Sequence, residues 1–73
     1  MQRFGERLKM LRTEAGEKQK DMAVILGCTL RHYQDTEAGK VNIPSKKLEI
    51  LADYYGVSMD FLMGRTDKRE INR

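Results

Sequence analysis

Apolar residues recur along this chain at helical spacing, and no stretch alternates apolar and polar with the period of two that a half-buried strand needs. Phe4, Leu8 and Leu11 stand at i, i+4 and i+7, one stripe of an amphipathic helix over about Arg3–Ala15 that stops at Gly16. A second run, about Gln19–Leu26, gathers Met22, Ala23 and Leu26 on one face and stops at Gly27. A third starts after Thr29, whose hydroxyl can cap a free N–H of the first turn. Cys28 before the cap and Tyr33 at the fourth helical position then form a hydrophobic staple. This helix ends at about Thr36 or Glu37, before Ala38-Gly39, and GKVNIP (residues 39–44) reads as a loop. A fourth helix begins near Ser45, with Leu48, Leu51, Ala52 and Tyr55 as its stripe and Gly56 as its stop. Ser58 caps a short fifth, about Met59–Met63, with Val57 and Leu62 as a second staple. The pattern predicts an all-α, compact five-helix bundle over 1–66 and a charged, flexible tail over 67–73.

Size agrees with that reading. A chain of 73 residues is one small domain, and such a domain buries only about 60% of its unfolded surface. That suffices for a helical core but not for a barrel or for a nucleotide-binding unit with a second domain. A hydrophobic fraction of 40% beside 34% charged residues fits a globular chain and argues against a disordered one.

Charge adds a first hint of a partner. Fourteen Lys and Arg against eleven Asp and Glu give +3, which suits a nucleic acid or another anionic surface. The distribution is uneven. Residues 1–20 carry six basic and three acidic groups, residues 21–39 one basic (Arg31) and three acidic (Asp21, Asp35, Glu37), and residues 40–73 seven basic and five acidic. Any attraction to phosphate therefore comes mainly from the flanks of the middle segment.

Catalytic chemistry finds little to work with. There is no Gly-rich phosphate loop, no cluster with metal-ligand spacing and no nucleophile–base set, so neither an enzyme nor a cofactor, metal or small-molecule ligand is expected. His32 reads as solvated or phosphate-adjacent, and Cys28 as the small apolar half of its staple. A single cysteine excludes an intrachain disulfide and points to a reducing compartment. MQRFGERLKML holds no apolar run long enough for a signal peptide, and nothing approaches the roughly 18 apolar residues of a membrane span. The expected setting is the cytoplasm.

The second and third helices are separated only by Gly27-Cys28-Thr29, which is the helix-turn-helix layout. With Thr29 as cap, Tyr33 and Glu37 point to the body of the domain. Arg31, Gln34, Asp35 and Ala38 fall on the opposite face. Arg31 on that face can grip guanine O6 and N7 or simply be solvated. Asp35 can accept from a cytosine amino group but repels phosphate, and is otherwise solvated or paired with a nearby lysine. Leu30 is open to a thymine methyl contact or to burial near Tyr33. Phe61, Met59 and Met63 are either a dimer surface or core, and Arg65, Lys68 and Arg69 read as solvated.

The wider pattern resembles the phage repressor/Cro-like (XRE-type) helix-turn-helix family over nearly the whole chain. The matching residues are Arg7-Leu8-Lys9-x-Leu11-Arg12, Gln19-x-x-Met22-Ala23-x-x-Leu26-Gly27, Thr29, Glu37-x-Gly39-Lys40, Pro44 and LEILADYYGVSMDFLMGRTD from Leu48 to Asp67. The resemblance implies a lambda-repressor-like five-helix domain, bacterial or phage-encoded. It implies a sequence-specific DNA-binding transcriptional regulator, a repressor, that inserts its third helix (about 30–36) into the major groove of a pseudo-palindromic operator as a homodimer on double-stranded DNA. By position, Leu30, Arg31 and Asp35 match base-facing residues, and Gln34 joins them on the same face. Gln19 matches a phosphate clamp, and Lys40, Asn42 and Ser45 match backbone-contacting loop positions. Arg12 and Glu37 match a structural ion pair. Lys18 departs from the family's Ser or Thr cap, which removes a side-chain cap and leaves a cation that can meet phosphate directly. Glu17 replaces an apolar residue, while Tyr33 and Thr36 exchange the usual large and small positions. The competing function is a protein-interaction adaptor on the same scaffold, antitoxin-like or antirepressor-like, which the net −2 of the middle segment favours.

Overall fold

The computed structural model describes residues 2–70. Its element order is α1 (Gln2–Glu14), α2 (Gln19–Leu26), α3 (Leu30–Glu37), α4 (Ser45–Tyr55) and α5 (Met59–Leu62), with no strand among the described residues. The helices start and stop where the sequence signals lie. Thr29 Oγ1 accepts from the His32 N–H at 3.1 Å and Ser58 Oγ from the Phe61 N–H at 3.0 Å, so both predicted caps are made. Each helix end is closed by a glycine of positive φ. At Gly39 (φ 77°) the chain turns so that the Gly39 N–H reaches the Thr36 carbonyl and the Lys40 N–H the Asp35 carbonyl, at 3.1 and 2.9 Å. That turn fixes the direction in which the loop carrying Lys40 and Asn42 leaves α3.

The core is the set of stripes read from the sequence, except that Tyr55 is only half-buried at its edge. Phe4, Leu8 and Leu11 of α1 meet Met22, Ala23 and Leu26 of α2, Tyr33 of α3, Leu48, Leu51 and Ala52 of α4, and Phe61 and Leu62 of α5. Ile43 and Val57 close it from the connections. Phe61 is core, whereas Met59 is partly exposed. Tyr33 and Thr36 are both fully buried, so the exchange of large and small positions is absorbed inside the domain. The Thr36 hydroxyl donates to the His32 carbonyl at 2.9 Å. The Tyr33 hydroxyl has no partner in hydrogen-bonding geometry among the described residues. Its burial, and next the neighbouring Glu37 carboxylate, raise its pKa far above the ordinary phenol value.

Two features were not foreseen. The first is Gly5, buried near the start of α1 on the side of Leu8 and Arg12. A Cβ there would collide with the Glu37 carbonyl oxygen and stand 3.2 Å from the Gly39 nitrogen. The missing side chain lets the α1 backbone lie directly against the end of α3. The second is the segment after α5. The Ser58 N–H donates to the Arg69 carbonyl at 2.9 Å, and the Arg69 guanidinium forms a two-armed pair with Glu14 at 2.9 and 2.7 Å. Arg7 binds Asp67 at 2.8 Å and lies over the Phe61 ring at 4.2 Å. Arg69, read as solvated from sequence, is therefore paired. The rest of the expected tail, 71–73, lies outside the described residues.

Gly5→Ala is expected to lower stability by about 1–3 kcal/mol, because backbone, not a flexible side chain, blocks the added methyl. Urea unfolding checks it; a gain from the better helix propensity of alanine would contradict the contact.

Candidate nucleic-acid interface

α2 and α3 are joined through Gly27-Cys28-Thr29, and Gly27 is left-handed at φ 65°. Cys28 is half-buried against the core, as a staple residue should be. α3 rests on α1 and α2 through Tyr33, Thr36 and Glu37. Its other face carries Leu30, Arg31, Gln34 and Ala38, all exposed, with Asp35 half-buried. Leu30 is 44% exposed, enough to leave an apolar contact available. Arg31 Nε lies 3.5 Å from Asp35 Oδ1 one turn on, with the arginine side chain 82% exposed. Such a solvated pair contributes little and can open without much loss when a better acceptor arrives.

The ends of this face are flanked by cationic and polar groups. On one side stands the N-terminus of α2. Lys18 precedes it in extended conformation and makes no side-chain cap. Part of the missing cap is replaced by Asp21, whose carboxylate accepts from the Lys18 N–H at 3.2 Å. The Lys18 carbonyl accepts from the Asp21 and Met22 N–H groups, so Gln19 and Lys20 hold the free backbone donors of the first turn. Directly after α3 the chain carries Lys40, Asn42 and Ser45, all exposed, the last opening α4 after Pro44.

Behind the face runs a polar network that fixes α3 in place. Arg12 Nε donates to Glu37 Oε2 at 2.8 Å and its Nη2 to Oε1 at 3.0 Å, a two-armed grip joining α1 to the last residue of α3. Arg12 Nη1 donates to the Glu17 carbonyl at 2.9 Å, holding the α1–α2 turn as well. Gln19 Nε2 approaches Glu37 Oε1 at 3.4 Å, and Gln34 Nε2 donates to Gln19 Oε1 at 3.3 Å. The expected ion pair is thus the centre of a chain that reaches the exposed face. Glu17, the other departure, also has a structural use. Its carboxylate accepts from the Tyr54 hydroxyl and from the Tyr55 hydroxyl at 3.0 Å, tying the α1–α2 turn to the end of α4. Burial and then this bond raise the Tyr55 pKa.

The link from Gln19 to Gln34 and the Glu17–tyrosine clamp leave no signal in the sequence. Amide pairs between helices carry no local spacing signal. Gly5 could have been found, since an interior helix glycine costs about 1 kcal/mol against alanine and so asks for a packing reason. No group of three or more His, Cys, Asp or Glu side chains among the described residues is placed to hold a metal ion. No helix among them is long and apolar enough to cross a membrane.

Burial is the largest single influence on the Glu37 pKa and would raise it, but the hydrogen bonds and charge of Arg12, with the neighbouring Tyr33 and Gln19, together outweigh it and hold the carboxyl below its ordinary value of 4.5. A carboxyl depressed in the folded state contributes stability above its unfolded pKa and loses it as pH falls through the folded one. Glu37→Gln, which leaves Arg12 without a counter-charge, should cost about 3 kcal/mol at neutral pH. The gap from the parent should shrink as pH falls below about 4.5. Urea titrations of both proteins at neutral and acidic pH read this directly, and an unchanged gap would contradict it.

The geometry agrees with what comparison of the chain with known proteins finds. The helix-turn-helix domain family matches residues 3–61. The chain is 46% identical over 63 residues to the SPbeta prophage-derived uncharacterized HTH-type transcriptional regulator YonR of Bacillus subtilis (strain 168), a match that covers 86% of this chain and 58% of that protein. This chain therefore spans little more than half the length of that relative. No solved structure matches it. On the family match, the shared residues and the helix pair at 19–37, the chain belongs to the phage repressor-like (XRE-type) helix-turn-helix family.

Proposed function

We propose that the protein is a sequence-specific DNA-binding transcriptional regulator, a repressor, that places α3 in the major groove of a pseudo-palindromic operator as a homodimer. The observation that carries this reading is the exposed face of Leu30, Arg31, Gln34 and Asp35, flanked by the α2 N-terminus and by the loop of Lys40 and Asn42. A helix with hydrogen-bonding side chains outward, bordered by groups that bind anions, suits a groove lined by base edges and walled by phosphates. The relative's description as a transcriptional regulator supports the same reading.

The roles divide by chemistry. Arg31 offers two parallel donors to guanine O6 and N7, and Asp35 accepts from a cytosine amino group. Leu30 meets a thymine methyl. Lys18, the first turn of α2 at Gln19, Lys40, Asn42 and Ser45 hold backbone phosphates, where free N–H groups and the helix dipole favour an anion. In this arrangement the Arg31–Asp35 pair opens on binding, and each partner turns to its own base.

Selection of sites from a random duplex library at physiological salt tests the whole reading. Specific sites typically bind 10³–10⁷ times tighter than random DNA, so an inverted repeat with half-sites about one helical turn apart should emerge. A folded protein that enriches no site would instead favour a protein-interaction adaptor. On the selected site, Arg31→Ala should remove about 1–3 kcal/mol of discrimination at one base pair and leave the thermal melt unchanged. Equal affinity of variant and parent would refute that role. Lys40→Ala should weaken binding to every sequence alike and flatten the log–log salt slope by about one, measured by titration at several salt concentrations. A loss confined to one sequence would count against a phosphate contact.

A further inference from the structure

We propose that His32 is a proton-dependent phosphate contact, which makes DNA binding tighten as the pH falls through the range in which an imidazole gains its charge. The proposal deepens the major-groove reading of α3 given above and rests on it.

The exposed face of α3 has two edges. Gln34 lies on the edge beside α2, where its amide meets Gln19 at 3.3 Å. Asp35 and His32 form the other edge. Successive residues turn about 100° round a helix, which puts His32 roughly 60° beyond Asp35 and about 160° from Gln34. A helix in the major groove runs between two phosphate backbones, one on each strand. The start of α2, with Lys18, borders one of them. His32 is the exposed α3 residue placed toward the other.

Nothing in the fold engages the ring. Thr29 Oγ1 fixes the His32 backbone in the first turn, at 3.1 Å from its N–H, but holds no side-chain atom. Among the described residues the imidazole makes no hydrogen bond and no ion pair. On its own helix Arg31 and Asp35 are already paired, at 3.5 Å, and the half-buried Cys28 lies four residues before it. From the helices packed against α3, Arg12 of α1 reaches Glu37, and α2 brings Gln19 to Gln34 beside Lys18. Both approaches are on the far side of α3 from His32. Lys40 follows α3, with its N–H on the Asp35 carbonyl at 2.9 Å.

An imidazole is the side chain that ordinarily changes charge between about pH 5 and 8. Neutral, it offers a phosphate one donor and no charge. Protonated, both nitrogens donate and the bond is charge-assisted. The start of a helix disfavours a cation, so a charged ring there needs an anion to hold it, and a phosphate supplies one. The added charge also changes the middle of the chain. Residues 21–39 carry one basic and three acidic groups, net −2, and a protonated His32 reduces this to −1. It does so next to Asp35, the carboxylate that phosphate repels once its pair with Arg31 opens. Binding therefore takes up a proton at each half-site, and by linkage affinity rises as pH falls.

The chain has a single histidine, so the effect can be read without ambiguity. The test is titration of the selected site and of a random duplex with the parent, His32→Gln and His32→Lys between about pH 7.5 and 5.5, with a thermal melt at each pH. Parent affinity should rise about tenfold per half-site across this window. Its log–log salt slope should steepen by about one per half-site at the acid end. His32→Gln should be flat with pH. His32→Lys, charged throughout, should be flat as well but tighter than His32→Gln on both duplexes. The one imidazole C2–H resonance should titrate at higher pH in the complex than in the free protein. A parent that is flat with pH would overturn the proposal, and so would an equal rise in His32→Gln. A lysine variant no tighter than the glutamine one, or a resonance that titrates no higher in the complex, would also count against it. A loss in His32→Gln confined to one base pair at every pH would make His32 a base reader instead. A folded parent that binds neither duplex at any pH would overturn the DNA reading itself, an outcome distinct from all of these.

Discussion

The grip of Arg12 on Glu37 fixes the angle at which parts of the chain distant in sequence meet. It joins the last turns of α1 and α3 through two hydrogen bonds, and the third arm of the guanidinium holds the α1–α2 turn through the Glu17 carbonyl. α3 has eight residues, too few to be stable alone, so its pose depends on what it rests against. Tyr33 and Thr36 supply apolar burial, but burial alone would allow α3 to roll about its axis. A charge-assisted, two-armed bond at its end is directional and stops that rotation. Gly5 works on the same contact from the backbone side, allowing α1 to lie against the Glu37 carbonyl. Close backbone approach and a fixed ion pair together determine which way Arg31, Gln34 and Asp35 face.

The arrangement separates two tasks that one helix would perform poorly together. The segment from 21 to 39 is net negative, with Arg31 its single basic residue, so α3 itself adds little attraction for a polyanion. On the proposed reading attraction lies at the edges, in Lys18, the first turn of α2 and Lys40. These groups draw in any duplex, since phosphate contacts carry no sequence information. The acidic middle then acts as a filter. On the same reading Asp35 is unfavourable beside phosphate, and once its pair with Arg31 opens it is compensated where a base-edge donor meets it.

Much of this was legible in the sequence because it rests on local rules. The five helices, their caps at Thr29 and Ser58 and their glycine stops follow from hydrophobic period and capping chemistry, which act within a few residues. The exposed face of α3 follows from the same periodicity. What escaped was long-range and polar. The Glu17 clamp spans from the first turn to Tyr54 and Tyr55, and the Arg69–Glu14 pair spans nearly the whole chain. Neither leaves a periodic trace, because one polar residue on a surface looks alike whether paired or solvated. Gly5 is intermediate, since its cost in a helix signals some close approach but not its partner.

The departures from the family pattern are better understood together than singly. Without a hydroxyl at position 18, α2 loses a side-chain cap, and Asp21 recovers part of it by bonding back to the Lys18 N–H. Among the described residues the Lys18 ammonium makes no ion pair, and it stands at the edge of the proposed interface. The carboxylate at position 17 accepts hydrogen bonds from two tyrosines of α4, and the adjoining turn is anchored by them. Both departures are met in this chain by directional polar contacts. Such bonds hold geometry well but depend on every partner being present, since a buried polar group left alone is costly. The turn between α1 and α2 is therefore held by Arg12, Tyr54 and Tyr55 at once, and the start of α2, which borders the proposed DNA surface, inherits its position from them.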